Sequence, residues 1–249
     1  MKEKIYTIPV HDAYNQATTC PLCTLEKTLT DELVAYYLGP ALMEPDVRVV
    51  TNDRGFCRDH WRGLYDSEAN RLGLGLLLHT HVGDITDDLH KSLGKAIPAP
   101  QKGLFSGKQK DYKEKILELA EAIEQRVQSC AICDRLDQTM GHYLDVIFYE
   151  YFHEPEFRQQ FDAGHGYCLP HLALLLRGAA RFLGQNQAAE FITNLTTQQH
   201  QSLSALRDDV EWFTLKFDYR NAKADWKNSK DALPRAIRQL NGRTDLKNQ

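Results

Sequence analysis

Cys20-Pro-Leu-Cys23 is followed by Cys57-Arg-Asp-His60, and the same pattern returns as Cys130-Ala-Ile-Cys133 and Cys168-Leu-Pro-His171. The chain has six cysteines, and all of them lie in these four motifs. Thiolates and imidazoles suit zinc, and residues three apart on a helix share a face. The spacing predicts two closed Cys₃His metal sites, each formed within one half of the sequence. The predicted ligand sets are Cys20, Cys23, Cys57 and His60 for one ion, and Cys130, Cys133, Cys168 and His171 for the other.

Two Zn²⁺ ions are the predicted cofactors, because three sulfurs and one nitrogen complete a tetrahedron and leave no position open for water. An iron–sulfur cluster and unmetallated thiols are the alternatives that these ligand types leave open. A structural zinc ion contributes roughly 10–16 kcal/mol of apparent binding free energy, which is comparable to the stability of a whole domain. Such an ion could hold together a helical unit that is too thin to be stable alone.

The second half of the sequence repeats the first at an offset of about 110 residues. Glu44-Pro-Asp-Val-Arg48 matches Glu154-Pro-Glu-Phe-Arg158, and Gly55-Phe-Cys-x-x-His60 matches Gly166-Tyr-Cys-x-x-His171. Matches that keep their order indicate an internal duplication. We expect two tandem zinc-clamped helical units in a pseudo-twofold arrangement.

The arginines Arg48 and Arg158 recur with their Glu-Pro partners. One interpretation is a salt bridge at the start of a helix. The other places each guanidinium beside the metal ligands, where it would offset the negative charge of the cluster. Both arginines are therefore candidate partners of the metal sites.

The predicted fold class is all-α, because apolar residues recur every three or four positions and no stretch alternates with a period of two. Residues 1–19 are expected to be an irregular lead-in. Pro and Gly punctuate Ala96–Gly107 without periodicity, which is typical of a linker. The predicted domains are 1–98 (first zinc repeat), 99–218 (linker and second zinc repeat) and 219–249 (basic C-terminal tail with a short helix).

Two further features could carry chemistry. A predicted helix is crowded with polar residues, and a solvated face is favoured there over a second metal or acid–base site. The tail 219–249 has eight basic and three acidic residues. A helix docked by Trp226, Leu233 and Ile237 is favoured there over contact with nucleic acid. The crowded polar residues are His79, His81, Asp84, Asp87, Asp88 and His90.

The net charge of −4 gives no reason to expect nucleic acid or an anionic membrane as a partner. No stretch approaches the ~20 apolar residues that cross a bilayer, and the first residues lack the apolar core of a signal peptide. A cytoplasmic location is therefore expected, and paired cysteines in that compartment are reduced. The sequence contains no Gly-rich phosphate loop, and every cysteine already has a ligand role, so an enzyme is not favoured.

With these motifs assembled, the chain resembles a family of uncharacterised bacterial proteins that is designated a domain of unknown function. Some members carry a transferred label of ABC transporter substrate-binding protein, and the absence of an export signal argues against that label. The resemblance supports the fold and the metal sites and implies no activity. The matching stretches are Ile8-Pro-Val10, Cys20-Pro-Leu-Cys23, Gly39-Pro40, Met43-Glu-Pro-Asp-Val-Arg48, Gly55-Phe-Cys-x-x-His60, Asn70-Arg-Leu-Gly73, Glu211-Trp-Phe-Thr214, Lys216-Phe-Asp-Tyr-Arg220 and Asn228-Ser-Lys-Asp-Ala-Leu-Pro-Arg235.

Three functions are consistent with these observations. The first is a zinc protein whose metals are structural and whose surface binds a macromolecule or a small molecule. The second is a sensor in which thiol oxidation or metal exchange opens a cluster. The third is an enzyme with an iron–sulfur centre or an active-site cleft between the repeats.

Overall fold

A computed structural model describes residues 4–16, 20–98 and 112–242, and the regular structure in these ranges is entirely helical. The predicted all-α class is therefore confirmed for the described part of the chain. Short 3₁₀ turns lie at Pro40–Met43 and Tyr219–Asn221. The α-helices are α1 (Lys4–Tyr14), α2 (Pro21–Tyr37), α3 (Pro45–Arg54), α4 (Arg58–Asp66), α5 (Arg71–Ala96), α6 (Tyr112–Gln128), α7 (Ala131–His153), α8 (Pro155–Asp162), α9 (Leu169–Phe182), α10 (Gln185–Leu215) and α11 (Ala232–Asn241).

Most helix ends follow from local chemistry. Pro45 and Pro155 occupy the first position of α3 and α8, where a missing N–H leaves no hydrogen bond unmade. The side chain of Asn70 caps α5 by accepting a hydrogen bond of 2.8 Å from the Gly73 amide. The Gly39-Pro40 pair follows the end of α2, where Pro40 does not allow the helix to continue.

The N-terminal region is a helix, so the predicted irregular lead-in is wrong. α1 contains Pro9, which removes one backbone donor and weakens the local signal for a helix. Val10, Ala13 and Tyr14 are nevertheless buried, and α1 packs against α8. Burial of one face outweighs the unfavourable local sequence, as is usual for short helices.

The described helices belong to two compact units. The first unit comprises Met1–Thr28 and Gln138–Gln249, and the second comprises Leu29–Asp137. The dividing positions fall inside α2 and α7. These spatial units do not coincide with the domain ranges predicted from the repeat. Most of the predicted linker, residues 99–107, lies outside the described residues.

Aromatic side chains dominate the core of the first unit. Tyr151, Phe161 and Phe191 are buried, and their ring centroids lie 5.0–5.4 Å apart. Phe161 also lies 5.6 Å from the ring of Tyr167, which immediately precedes Cys168. Such pairs add about 0.5–1.5 kcal/mol each to the free energy of burial. The aromatic core therefore holds the start of α9 in place.

The C-terminal helix α11 belongs to the first unit and packs on α9 and α10. Ala232 and Gln239 are its buried residues. The predicted anchors Leu233 and Ile237 are 42% and 40% exposed, so this part of the prediction is wrong. Trp226 lies against Phe213 of α10, with ring centroids 5.8 Å apart.

The second unit has a smaller aromatic core. The ring of Phe56 lies 5.3 Å from Tyr37 at the end of α2 and 4.8 Å from Trp61 of α4. Leu64 is also buried in this unit. Within the described residues, no helix of either unit is both long and apolar enough to cross a membrane.

Gly55, between α3 and α4, adopts φ +57° and ψ −150°, a backbone conformation that is essentially restricted to glycine. A Cβ atom at this position would lie 2.3 Å from Nε2 of the buried His81. The Nδ1–H group of His81 donates to the Asn52 carbonyl at 2.7 Å, which fixes the ring in place. Gly55 therefore allows the chain to turn from α3 to Cys57.

We predict that Gly55→Ala lowers the free energy of unfolding of the second unit by about 2–4 kcal/mol, because it adds backbone strain and a clash. The measurement is denaturant unfolding followed by circular dichroism. The control is Gly75→Ala in α5, where a Cβ has no neighbour within 4 Å. That helical substitution should raise stability by roughly 0.5–1 kcal/mol. Equal effects of the two variants would contradict the proposed role of Gly55.

Candidate metal centres

Each of the four Cys motifs lies at the N-terminus of a helix. Cys57 and Cys168 are the N-cap residues of α4 and α9. Cys20 and Cys130 directly precede α2 and α7. The first amides of a helix have no partner inside the helix, and the helix dipole is positive at this end. These positions therefore favour thiolates.

Four of the ligand residues meet in the first unit, and we call this group cluster 1 (Cys20, Cys23, Cys168 and His171). The Sγ atom of Cys168 lies 3.8 Å from that of Cys20 and 3.6 Å from that of Cys23. The Nδ1 atom of His171 lies 3.1–3.6 Å from the three sulfurs. Cys20, Cys168 and His171 are buried, and Cys23 is partly exposed.

The other four meet in the second unit and form cluster 2 (Cys57, His60, Cys130 and Cys133). The Nδ1 atom of His60 lies 3.2–3.3 Å from all three sulfurs. The sulfurs of Cys57 and Cys133 are 3.8 Å apart. Only Cys130 is buried, so cluster 2 is more accessible to solvent than cluster 1.

The distances in both clusters fit one tetrahedral ion. Bonds of about 2.3 Å to sulfur and 2.0–2.1 Å to nitrogen place tetrahedral ligands about 3.8 Å apart for two sulfurs and about 3.5 Å apart for sulfur and nitrogen. The sulfur pairs lie at 3.6–3.8 Å and the sulfur–nitrogen pairs at 3.1–3.6 Å. All four ligand atoms of each cluster lie within 4.8 Å of one another. Either cluster could therefore hold a single metal ion.

The predicted grouping of the ligands is wrong, although the same eight residues are involved. The sequence placed Cys20 and Cys23 with Cys57 and His60. In the structure, the first Cys-x-x-Cys motif instead meets the second Cys-x-x-His motif. The second Cys-x-x-Cys motif likewise meets Cys57 and His60. Each cluster thus takes one motif from each half of the sequence.

The lengths of α2 and α7 explain the exchange. α2 has 17 residues, and a helix of that length rises about 25 Å. Cys20 lies before its first turn, whereas Phe56, next to Cys57, packs on Tyr37 at its end. α7 has 23 residues, or about 35 Å, and leads away from Cys130 in the same manner. In each half, one long helix therefore separates the Cys-x-x-Cys motif from the Cys-x-x-His motif along the chain.

Hydrogen bonds among the sulfurs polarise each cluster. Bonds to Cys168 and Cys23 lower the pKa of Cys20 to about 3. A bond to Cys133 lowers the pKa of Cys130 to about 3. Because they share these protons, Cys23 and Cys133 have raised pKa values. Each cluster therefore contains one ready thiolate, and a metal ion would displace the remaining protons.

The surroundings of cluster 1 fix its ligands. Nε2 of His171, the ring nitrogen that faces away from the sulfurs, lies 3.5 Å from Oε2 of Glu26. A carboxylate in this place orients a ligating imidazole. The backbone of Tyr167 is held by Gln199 through two hydrogen bonds of 2.9 Å and by Gln239 through one of 2.6 Å. The residue before Cys168 is therefore tied to α10 and α11.

Two buried tyrosines lie beside cluster 1. The hydroxyl oxygens of Tyr14 and Tyr167 are 3.0 Å apart. Burial raises the pKa of both phenols, so they stay neutral. They therefore join α1 to the segment before Cys168 as a hydrogen-bonded pair and place no charge beside the thiolates.

Cluster 2 is held mainly by backbone contacts. The Ala131 amide donates to the Gly55 carbonyl at 3.0 Å, and the Ser129 hydroxyl donates to the Arg54 carbonyl at 2.5 Å. The guanidinium of Arg54 pairs with Asp134 at 2.8 Å on the surface. These bonds connect the loop before α4 to the start of α7. They bring Cys57 and Cys130 to one place.

Arg48 and Arg158 make their hydrogen bonds away from the clusters. Arg48 donates to the Leu76 carbonyl and the Thr80 hydroxyl, at 3.2 and 2.7 Å. Arg158 pairs with Glu190 at 2.6 Å. In the described part of the chain, these contacts connect α3 to α5 and α8 to α10. Neither guanidinium has a hydrogen bond to a cluster sulfur there.

The polar residues of α5 divide into two groups. His81 is buried, and its ring lies 5.9 Å from that of Trp61. The other members of the sequence group, His79, Asp84, Asp87, Asp88 and His90, are exposed. The described residues contain metal-ligand groupings only at clusters 1 and 2. The solvated face predicted here therefore accounts for all of these residues except His81.

Sequence reasoning missed the role of Glu26 at cluster 1 and the burial of His81. Glu26 lies in the second turn of α2. Its equivalent in the second half is Leu136, so the repeat does not mark position 26 as polar in both halves. His81 is aligned with Phe191, a core residue of the first unit. That alignment was the signal that His81 is buried rather than solvated.

The comparisons with known proteins identify a family but no activity. The family model that matches the chain describes a family of unknown function (DUF6062), and the match covers residues 1–247. No curated protein and no solved structure matches the chain.

We predict that Glu26→Gln weakens metal binding at cluster 1 by about 10–100-fold, because His171 loses the carboxylate that orients it. The measurement is competition for zinc with a chromophoric chelator. Cluster 2 is the reference within the same molecule and should be unchanged. Glu32→Gln, at an exposed position of the same helix, is the matched control. Equal affinities of Glu26→Gln and Glu32→Gln would contradict this role for Glu26.

Proposed function

Because the chain belongs, over residues 1–247, to a family whose function is not known, we propose its function from the two clusters: it is a zinc protein with two structural Cys₃His sites. The observation that carries this proposal is the convergence of three sulfurs and one imidazole nitrogen within 4.8 Å in each unit. A closed tetrahedron of these ligands is typical of structural zinc and leaves no position for substrate. The zinc ions stabilise the fold rather than catalyse a reaction.

The ligand distances favour zinc over an iron–sulfur cluster. In a [4Fe–4S] cluster each thiolate binds a different iron atom, and in a [2Fe–2S] cluster the four ligands are divided between two irons, so ligand atoms on different irons lie farther apart than around one ion. The sulfur pairs of 3.6–3.8 Å leave space for a single ion. Among single ions, zinc suits this mixed sulfur and nitrogen set with tetrahedral geometry.

The duplicated sequence supports a pseudo-twofold arrangement of two interlocked repeats. After its Cys-x-x-Cys motif, each half has a long helix, a helix with Pro at its first position, a helix capped by Cys and another long helix. These elements are α2, α3, α4 and α5 in one half and α7, α8, α9 and α10 in the other. Each half gives one pair of ligands to each ion, so the two ions together hold the halves to one another.

The biological role we propose is that of a binding or scaffold module for a macromolecular or small-molecule partner in the cytoplasm. A reducing compartment suits the chain, because all six cysteines are free and converge as ligands. The acidic net charge of −4 favours a partner other than nucleic acid.

Paired substitutions test both the metal and the exchanged grouping. Cys20→Ser with Cys168→Ser removes two ligands from cluster 1 alone, so the purified chain should keep one zinc ion of two. Cys20→Ser with Cys57→Ser removes one ligand from each cluster, so the purified chain should lose most of both zinc ions. Elemental analysis of the purified proteins measures the zinc content, and circular dichroism measures the helix that remains. A wild-type protein that is fully helical without metal would contradict the proposal. If the Cys20→Ser, Cys168→Ser protein lost more zinc than the Cys20→Ser, Cys57→Ser protein, the grouping of the ligands in clusters 1 and 2 would be contradicted.

A thiol sensor is the second candidate function, favoured by the exposure of cluster 2. Cys57, His60 and Cys133 are partly exposed, whereas cluster 1 exposes only Cys23. Peroxide would oxidise one thiolate to a sulfenic acid, and a second thiolate would displace hydroxide from it to form a disulfide. Cys57 and Cys133, with sulfurs 3.8 Å apart, are suited to this step, which would release the ion.

We predict that mild peroxide releases zinc from cluster 2 at least about tenfold faster than from cluster 1, because thiolate oxidation follows exposure. A zinc indicator dye gives the rate, and mass spectrometry identifies the disulfide. The Cys20→Ser, Cys168→Ser protein reports cluster 2 alone, and the Cys57→Ser, Cys133→Ser protein reports cluster 1 alone. Equal rates, or no release from either protein, would exclude the sensor function.

A further inference from the structure

The second unit has a helical hairpin formed by residues 81–96 of α5 and by α6. Arg126, near the end of α6, donates to the Asn52 carbonyl, which also accepts from His81. The end of α6 therefore lies beside the middle of α5, and the two helices run antiparallel. None of the 17 residues of α6 is buried among the described residues. A helix this exposed gains little stability from packing on one neighbour.

An apolar groove of about 350 Å³ runs between the two helices. On the same two helices, the side chains of Val82, Leu93, Leu117 and Val127 are 51–67% exposed. Single exposed apolar residues are ordinary, but a continuous apolar face marks a binding surface. The apolar residues that line the groove are Ile85, Leu89, Leu119, Ala122, Ile123 and Val127.

Acidic and basic residues are concentrated at opposite ends of this hairpin. Its base, residues 81–89 and 121–128, has five carboxylates (Asp84, Asp87, Asp88, Glu121 and Glu124) and one guanidinium (Arg126). Its tip, residues 90–96 and 112–120, has four lysines (Lys91, Lys95, Lys113 and Lys115) and two glutamates (Glu114 and Glu118). The base is therefore acidic and the tip is basic.

We propose that a second copy of this chain docks on the α5/α6 hairpin in antiparallel orientation, which forms a four-helix bundle. A twofold axis through the middle of the groove would place the acidic base of each copy on the basic tip of the other. A parallel arrangement would place like charges together. A partner of uniform charge would be repelled by one half of the face. The hairpin's own charge pattern is thus complementary to itself.

Closing the two hairpins on one another also covers the apolar groove. The groove spans the junction of base and tip, since its lining runs from Ile85 to Ser92 on α5. The axis of the dimer therefore passes through apolar side chains, with the charged residues around them. Bundles of antiparallel helices pack their apolar stripes in this manner. This inference does not depend on the metal ions.

Sedimentation of the full-length, zinc-loaded chain at several concentrations tests the proposal. The wild-type protein should be a dimer at micromolar concentration. Ile123→Glu, in the groove, should weaken the dimer by at least about 100-fold, because two buried charges would face one another. Leu72→Glu, at an exposed position of α5 outside the hairpin, is the control and should leave the dimer unchanged. Circular dichroism and zinc content show whether each variant is folded.

Charge exchange provides the second arm of the test. Asp84→Lys, Asp87→Lys and Asp88→Lys together make the base basic, with four cations against Glu121 and Glu124, and should weaken the dimer at least about tenfold at low salt. Adding Lys91→Glu and Lys95→Glu makes the tip acidic and should restore the dimer. A wild-type chain that is monomeric up to concentrations on the order of 100 μM would overturn the proposal. A dimer that survives Ile123→Glu, or a second charge reversal that fails to restore association, would overturn it too.

Discussion

The structure depends on pairs of helix N-termini that converge on one point. α2 meets α9 at cluster 1, and α4 meets α7 at cluster 2. Two positive helix ends would repel one another without negative charge between them. The cysteine sulfurs provide that charge, and the lowered pKa values of Cys20 and Cys130 show that each cluster stabilises a thiolate. The turns before Cys57 and Cys168 and the aromatic cores position the helix ends that carry the ligands.

The convergence links residues that are far apart in the sequence. Cluster 2 joins residues up to 76 positions apart, and cluster 1 joins residues up to 151 positions apart. The loops that these contacts close are costly in conformational entropy, and a bound ion compensates for that loss. The hydrogen bonds of Gln199 and Gln239 to Tyr167 and of Ser129 to Arg54 then fix the loops that carry the ligands.

The sequence predicted the helical class and all eight residues of the clusters, because the period of apolar residues and the Cys-x-x-Cys and Cys-x-x-His spacings are local signals. It did not predict the grouping of the ligands, because spacing alone does not tell which motifs meet. The unbroken helix after each Cys-x-x-Cys motif was the missing physical argument. The helix at Lys4–Tyr14 could not be predicted either, since burial of Val10 and Tyr14 stabilises it against Pro9. Glu26 has no counterpart in the repeat, so only the structure placed it beside His171.

The insertion of the second unit within the first has a consequence for biosynthesis. Ribosomes extend a chain from its N-terminus, so the ligands of cluster 2 are complete once Cys133 has emerged. Cys20 and Cys23 are made first, yet Cys168 follows Cys23 by 145 residues. α11 ends beside cluster 1, where a Cβ at Gly242 would lie 3.8 Å from the Cys168 sulfur. Cys20 and Cys23 therefore lack their partner ligands while the 145 residues up to Cys168 are synthesised, and during that time their thiols are open to oxidation or to competing metal ions.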